Sequence, residues 1–483
     1  MGNGQVDIDK FQGSVSNLAD AFWWKMDALL EVMEVSLPEV AKLDSKEQIS
    51  SAFSKAFLHL NAAEMAKLRE IMGRVEADQK EKEDGPPFMV RMWNEVRSEP
   101  WGPRMMLSLH EATLRPPREP LFLQSTAVAA VSNFEVLFAG IATQYYWVAP
   151  QALESVPKDK EKEFSLRELK AMNSLEDAVE LAIGRRVDDL MFGSFGEWRK
   201  FFQDKMNLKF EDYAIDWELL QEIFQRRHVI VHNGGRASRR YLRNVAERFT
   251  VDVNLDDQLR VDREYVRRAT AELLNFGYLL SIAVRLKFSK SQEHKDFIEV
   301  ELHKFTYNNL LKGNCEVVSK CAMYGEVIST GMDAQILFRV NWWIARQRLG
   351  DESVAREAEG WDTRPLKSKY ALARHCLVGN RAEAMQLLTE LYDAGDVSFE
   401  DVIEWPILEP LRGTSEYVEL TRRLEVPAGW SAKGKVLFEN PKSSVIHDRK
   451  CPLVRPGFKR RLASQISLEE GKLCKRCKPI VAK

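Results

Sequence analysis

Three residues near the middle of the chain and four near its end have types and spacings that support chemistry. The first set lies in Gln225–Gly235, "QRRHVIVHNGG", which carries two of the chain's eight histidines beside two arginines. Arg227 and His232 form an Arg-x4-His pair, with His228 four residues before His232. Histidine titrates near neutral pH, and guanidinium is a fixed, always-charged donor. Together they suit RNA cleavage. RNA brings its own 2′-hydroxyl nucleophile, so an imidazole to move protons and a cation to hold charge on phosphorus are sufficient. The product is a 2′,3′-cyclic phosphate, and no metal is required. Positions five apart on a straight helix are separated by about 140°, so one helix brings the pair together poorly. Fraying at the Gly-Gly end, or a second copy across a two-fold axis, would unite them. The same residues also suit a structural Arg-His pair that seals a helix end. A His228–His232 metal pair lacks a nearby third ligand.

The second set is His447-x3-Cys451, then 22 residues, then Cys474-x2-Cys477. Two close pairs of nitrogen and sulfur ligands meet the tetrahedral demand of zinc. A piece this small has too little core of its own and needs such a staple. Basic residues crowd it: Arg449, Lys450, Arg455, Lys459, Arg460, Arg461, Lys472, Lys475, Arg476 and Lys478, opposed only by Asp448, Glu469 and Glu470. They suit a nucleic-acid backbone, or a solvated tail that offsets thiolate charge.

The elements that position these groups are mostly helical. Apolar residues recur at three- and four-residue spacing through "NLADAFWWKMDALLEVMEVSL" and "SSAFSKAFLHLNAAEMAKLREIMGRV", the helical period. Breaks at "QKEKEDGPP" and "TLRPPREP" put a first boundary near 118. A long apolar helix follows over about 122–148 and ends at Pro150. Its mid-span Glu135 argues for a buried core helix and against a membrane span. Asp216 is the expected N-cap of the motif helix and Gly234-Gly235 its stop. Beyond "SKSQEHKD" the sequence has a helix-turn-helix rhythm with a Gly379-Asn380 turn and resembles a tetratricopeptide-like array. After "PAGWSAKGK" short β-prone runs appear, "KVLFEN" and "SSVIHD".

The 483 residues predict several domains. Lys+Arg at 70 against Asp+Glu at 72 excludes a polycation, so nucleic-acid contacts must come from local clusters. Six cysteines, three of them (Cys315, Cys321, Cys376) in helical sequence, argue against a disulfide framework and for a reducing, cytoplasmic setting. The N-terminus "MGNGQVDIDK" lacks the pattern of a signal peptide.

The run Arg226-Arg227-His228-Val229-Ile230-Val231-His232-Asn233-Gly234-Gly235, followed by Tyr241, resembles the motif "R-R-N-x-x-V-H-N-x-G" of the HEPN superfamily, in texture the RiboL-PSP and ApeA-like groups. "SNFEVLF" (132–138) resembles the opening helix of that superfamily. The resemblance covers about 120–288. It implies a four-to-five-helix bundle, dimerisation through the motif helices, and metal-independent endoribonuclease activity, often as a toxin or anti-phage effector. Arg227 and His232 match the catalytic pair, and His228 stands where the family usually has Asn. Glu135 matches the acid of its first helix. Arg226, Asn233, Arg236, Arg239 and Arg240 (with Arg243) are the expected substrate-binding residues, and the arginines after the motif equally suit a solvated basic turn. The C-terminal "SSVIHDRKCPLV…LEEGKLCKRCKP" resembles the zinc-binding module of the Ada DNA-repair family. That family has four cysteines, one of them methyl-accepting. His447 stands first here, so a structural zinc is implied and alkyl transfer is not.

The expected organisation is therefore mainly α: an N-terminal helical region (1–118), a HEPN helical bundle (119–288), a TPR-like helical segment (289–430) and a small zinc-binding α+β module (431–483). The expected partners are RNA, a second copy through the HEPN unit, and nucleic acid at the basic module, with no membrane. The rival expectation is a non-catalytic HEPN dimerisation scaffold whose zinc module binds nucleic acid.

Overall fold

The computed structural model describes residues 8–44, 57–58, 60–81, 88–113, 117–154, 164–210 and 214–424, and in the C-terminal module 436–449, 451–455, 457–462, 472–477 and 479. It is mainly helical and divides into two compact units. The first holds residues 1–208 and 216–281, the second 209–215 and 282–483.

In the first unit, α1 (Ile8–Lys42) packs along α5 (Arg118–Val148). Between them in sequence lie α2 (Ala62–Glu81), α3 (Phe88–Val96) and α4 (Gly102–Thr113), which share a small core of Leu68, Ile71, Val75, Met92, Val96 and Met105. The break expected near 118 falls just before α5, yet α1 contributes Phe22 to the core beneath it: the Phe22 and Phe134 rings meet edge-on at 6.3 Å. α6 (Leu175–Met191), α7 (Phe195–Lys200), α8 (Trp217–Asn233), α9 (Arg239–Asn244) and α10 (Arg263–Phe288) follow α5, with shorter helical turns between them. Phe134 of α5 stacks on Phe276 of α10 at 5.5 Å, and Phe195 of α7 stacks on Phe224 of α8 at 4.5 Å. Offset and edge-on aromatic packing of this kind adds to the area the rings bury. Gly277 permits the close approach of three helices, since a Cβ there would lie 2.6 Å from Phe22 and 2.8 Å from Leu137. α5 is long and apolar enough to cross a bilayer, but half of its most apolar window is buried within this chain.

In the second unit, α11 (Gln292–Lys312), α12 (Cys315–Ile328) and α13 (Met332–Arg348) pack in succession. They are followed by α14 (Ser353–Glu359), α15 (Ser368–Val378), α16 (Arg381–Ala394), α17 (Phe399–Glu404) and α18 (Ser415–Arg423). The expected Gly379-Asn380 turn joins α15 to α16, with Gly379 in the left-handed conformation at φ +90°. Such a residue ends a helix without a Cβ penalty. The C-terminal module is a four-stranded sheet in the order β3-β1-β2-β4, built from β1 (Val436–Glu439), β2 (Val445–Asp448), β3 (Lys459–Leu462) and β4 (Lys472–Leu473). The two β-prone runs form β1 and β2, which pair antiparallel, while β4 joins β2 in parallel.

Candidate functional site

Helix α8 starts where Asp216 accepts the N–H of Leu219 at 3.0 Å. It ends at Gly234 and Gly235, with φ of +58° and +77°. The N–H groups of both glycines turn back to Val229 O, 2.9 Å from Gly235 N. Beyond the stop the chain forms a short antiparallel bridge between Arg236 and Gln258.

The two neighbouring arginines point to different environments. Arg226 turns inward to Glu222, a fully buried carboxylate one turn earlier. Its Nη1 donates to Arg260 O at 2.7 Å and its Nη2 to Tyr241 Oη at 3.1 Å. The hydroxyls of Tyr241 and Tyr265 donate to the two oxygens of Glu222 at 2.8 and 2.9 Å. Burial and the Glu222 charge push both tyrosines above their ordinary range. Arg226, expected at a phosphate, is thus engaged in an internal knot. The Glu-x3-Arg spacing was the sequence signal for it.

Arg227 instead faces α5, where its Nη2 lies 3.5 Å from Glu135 Oε2. Its Nε is buried and has no hydrogen-bond partner among the described residues. Burial raises the pKa of Glu135, and the Arg227 charge only partly offsets this. His228 is half-buried and its ring centroid lies 4.7 Å from that of the exposed His232. Burial depresses the pKa of His228, helped by the charges of Arg240, His232 and Arg227. The structure therefore links Glu135 to Arg227 and His228 to His232, with Arg240 and Arg227 near enough for their charges to act on His228. It shows no hydrogen bond between Arg227 and His232 of the same chain.

The other expected substrate-binding residues lie in the turn. Asn233 Nδ2 donates to Arg236 O at 2.7 Å and closes the turn, and Arg236 Nη1 donates to Asp256 O at 3.0 Å. Arg239 and Arg240 are exposed. Two amides that the sequence reading passed over, Gln124 and Gln258, lie against Gly235. Nothing in their local sequence marks them, because the fold brings them together from distant parts of the chain.

In the second unit His447, Cys451, Cys474 and Cys477 converge, with their ligand atoms all within 4.8 Å of one another, and could hold a metal ion. Three of the four are buried. His447 Nδ1 lies 3.5 Å from Cys451 Sγ. Sulfur at ~2.3 Å and nitrogen at ~2.0 Å from one tetrahedral ion are separated by about 3.5 Å, so the donor set fits zinc. β2 delivers His447. The β2–β4 pairing, with Cys474 N donating to Ile446 O at 2.9 Å, sets the second pair beside it. The Asp448 N–H donates to Cys477 Sγ at 3.2 Å. Burial works to raise the pKa of the Cys474 thiol, but the N–H groups of Cys477 and Arg476 outweigh it and hold it low.

The basic residues of this module divide. Arg449 is buried, and its Nη1 donates to Thr421 O of α18. Arg461 pairs with Glu439 at 2.9 Å. Arg455, Lys459, Lys472, Lys475 and Arg476 remain exposed. Lys450, Lys478, Glu469 and Glu470 lie outside the described residues, as does the side chain of Arg460. No protein-family model, no curated protein and no solved structure matches this chain.

Proposed function

We propose that the chain is an endoribonuclease that cleaves RNA by attack of the 2′-hydroxyl on the adjacent phosphorus. The single observation that carries this reading is the row Arg227, His228 and His232 at one end of α8, with the imidazoles 4.7 Å apart and the Arg227 charge acting on His228. Burial and its cationic neighbours lower the pKa of His228, which favours the neutral imidazole. A neutral imidazole accepts a proton. His232 faces solvent and transfers the proton at the reacting oxygens, while Arg227 holds charge on phosphorus. Glu135 orients Arg227 from α5. Such a reaction needs no metal.

Two exposed valines flank the row, Val136 beside Glu135 and Val231 beside His232, with 57% and 49% of their surface open. They supply an apolar rim for a second copy of the chain. In a two-fold pair, His232 of one copy would meet Arg227 of the other, which answers the poor convergence within one helix. The fold of the first unit is then a HEPN-type bundle, and a role as a toxin or anti-phage effector follows from the resemblance.

The ion held by His447, Cys451, Cys474 and Cys477 is zinc in this reading. Closed sites of one histidine and three cysteines are structural and contribute folding free energy directly. A second reading keeps the first unit as a dimerising scaffold and gives the binding to the zinc module. The exposed Arg455, Lys459, Lys472, Lys475 and Arg476 favour it.

Labelled RNA with EDTA separates the two. The nuclease reading expects cleavage by the parent protein after brief EDTA treatment and none by a folded His232→Ala. Equal cleavage by His232→Ala ends it. Absence of cleavage, with binding lost only in Cys474→Ser/Cys477→Ser, supports the second reading.

A further inference from the structure

Where the end of α8 meets the first turns of α5, residues 258–262 line one side of a half-open cavity of about 640 Å³. Small-molecule sites span roughly 300–1,000 Å³. Its apolar wall includes Pro120, Leu121, Leu123 and Leu259. Its polar side carries the amides of Gln124 and Gln258, both against Gly235. A Cβ on Gly235 would lie 2.6 Å from Gln258 Nε2 and 3.2 Å from Gln124 Nε2, and its φ of +77° already favours glycine. Only glycine leaves the two amides side by side. Gln258 Nε2 is oriented by donating to Gly234 O at 3.2 Å. Gln124 makes no hydrogen bond among the described residues.

The charges around the cavity are mixed, Glu119 and Asp262 against Arg260, and do not make a dedicated phosphate site. The N-terminal amides of α5 that would receive one are taken, since Asp44 Oδ2 accepts from Arg118 N at 2.6 Å and from Glu119 N at 2.8 Å. Asp262 is engaged in capping, with Oδ1 accepting from Tyr265 N at 2.8 Å. What remains is a slot with an apolar wall, two primary amides on one side, and Glu119 and Arg260 as the other charged residues of its lining. That chemistry fits a nucleobase, and a side-chain amide pairs in two-point fashion with the N6/N7 edge of adenine. Gly234, which lines the slot, is two residues from His232. At 3.8 Å per residue the two Cα atoms are at most about 7.6 Å apart, within the reach of one nucleotide.

We propose that this cavity is a base-recognition subsite that seats an adenine next to the cleaved linkage. The inference rests on the ribonuclease reading for its biological use, but its binding does not depend on cleavage.

The test therefore has two arms on the full chain. In the first, AMP and UMP are titrated by calorimetry. AMP is expected to bind about tenfold tighter than UMP, and Gln124→Ala/Gln258→Ala to lose that difference. In the second, a random RNA pool is cut and the ends sequenced. Cuts cluster beside adenine with the parent protein and spread with the double variant. Equal affinity for AMP and UMP overturns the subsite, as does RNA cleavage without adenine preference, and the latter leaves the nuclease standing. AMP preference without any RNA cleavage keeps the subsite and removes the nuclease. Should thermal melts show the double variant unfolded, Leu121→Trp fills the slot from its exposed wall. Loss of AMP binding then supports the subsite and unchanged binding overturns it.

Discussion

Arg227 on α8 and Glu135 on α5 face each other with 3.5 Å between Nη2 and Oε2. Burial keeps Glu135 above the usual carboxylate range despite this partner. The fold thus holds a proton at a pH where the unfolded chain has released it. The contribution of Glu135 to stability is full below its unfolded value of 4.5 and declines as pH rises through the folded one. Thermal melts between about pH 4 and 7 are expected to show this slope, and Glu135→Gln to flatten it without loss of stability at neutral pH. A variant with the parental slope would show that the carboxylate sits in a more polar setting than the one described.

His228 gives the opposite sign. Burial comes first, then the charges of Arg240, His232 and Arg227, in lowering its pKa from 6.5. Its contribution is present above 6.5 and is lost as pH falls through the lower folded value. Proton-detected titration of the ring is expected to give a midpoint below 6.5, and Arg240→Gln to move it upward. An unchanged midpoint in Arg240→Gln would leave burial, His232 and Arg227 as the causes.

Catalysis is the most direct test of the row. His232→Ala and Arg227→Ala are each expected to lower the cleavage rate by about 10²- to 10⁴-fold, the usual worth of a positioned proton-transfer or charge-holding group. Arg226→Ala is expected to act differently, lowering the melting temperature first. Single-turnover rates read against melts distinguish a lost reaction from a lost fold.

The knot around Glu222 predicts a stability effect. Glu222→Leu strands the Arg226 guanidinium against two tyrosines and is expected to cost about 3–5 kcal/mol, as for breaking one partner from a buried ion pair. Tyr241→Phe removes one donor to Glu222 and is expected to cost about 1–3 kcal/mol. Urea denaturation measures both, and a cost below ~0.5 kcal/mol for Glu222→Leu would be out of line with a buried pair.

Metal analysis of the purified chain is expected to find one zinc per molecule, released in the Cys474→Ser/Cys477→Ser variant. A parent chain that carries no metal and resists chelator without change in its melt would remove the structural role.

Much of this arrangement was legible because its signals are local. Asp216 and the Gly234-Gly235 stop follow from capping chemistry confined to one helix. The His447-x3-Cys451 and Cys474-x2-Cys477 spacings each fit one turn. What lay hidden is set by distant chain. Arg226 and Arg227 are adjacent and alike, and only the arrival of Tyr241, Tyr265 and Arg260 on one side, and Glu135 on the other, assigns them different tasks. The packing of α1 on α5 carries no local mark, so the charge and proline break near 118 looked like the edge of the first unit. Arg449, read as one of many surface cations, is buried because α18 offers it a carbonyl.

That last contact has a wider meaning. Arg449 donates to Thr421 O, Arg422 Nη2 to Val454 O at 3.2 Å, and Gly457 N to Gly413 O at 3.0 Å. The cysteine-bearing tail is thereby buttoned to the closing turns of the helical array at three points. A dangling finger could shed its ion unnoticed. Here an ion lost from His447, Cys451, Cys474 and Cys477 would also loosen the last helix, which those three contacts tie to the tail.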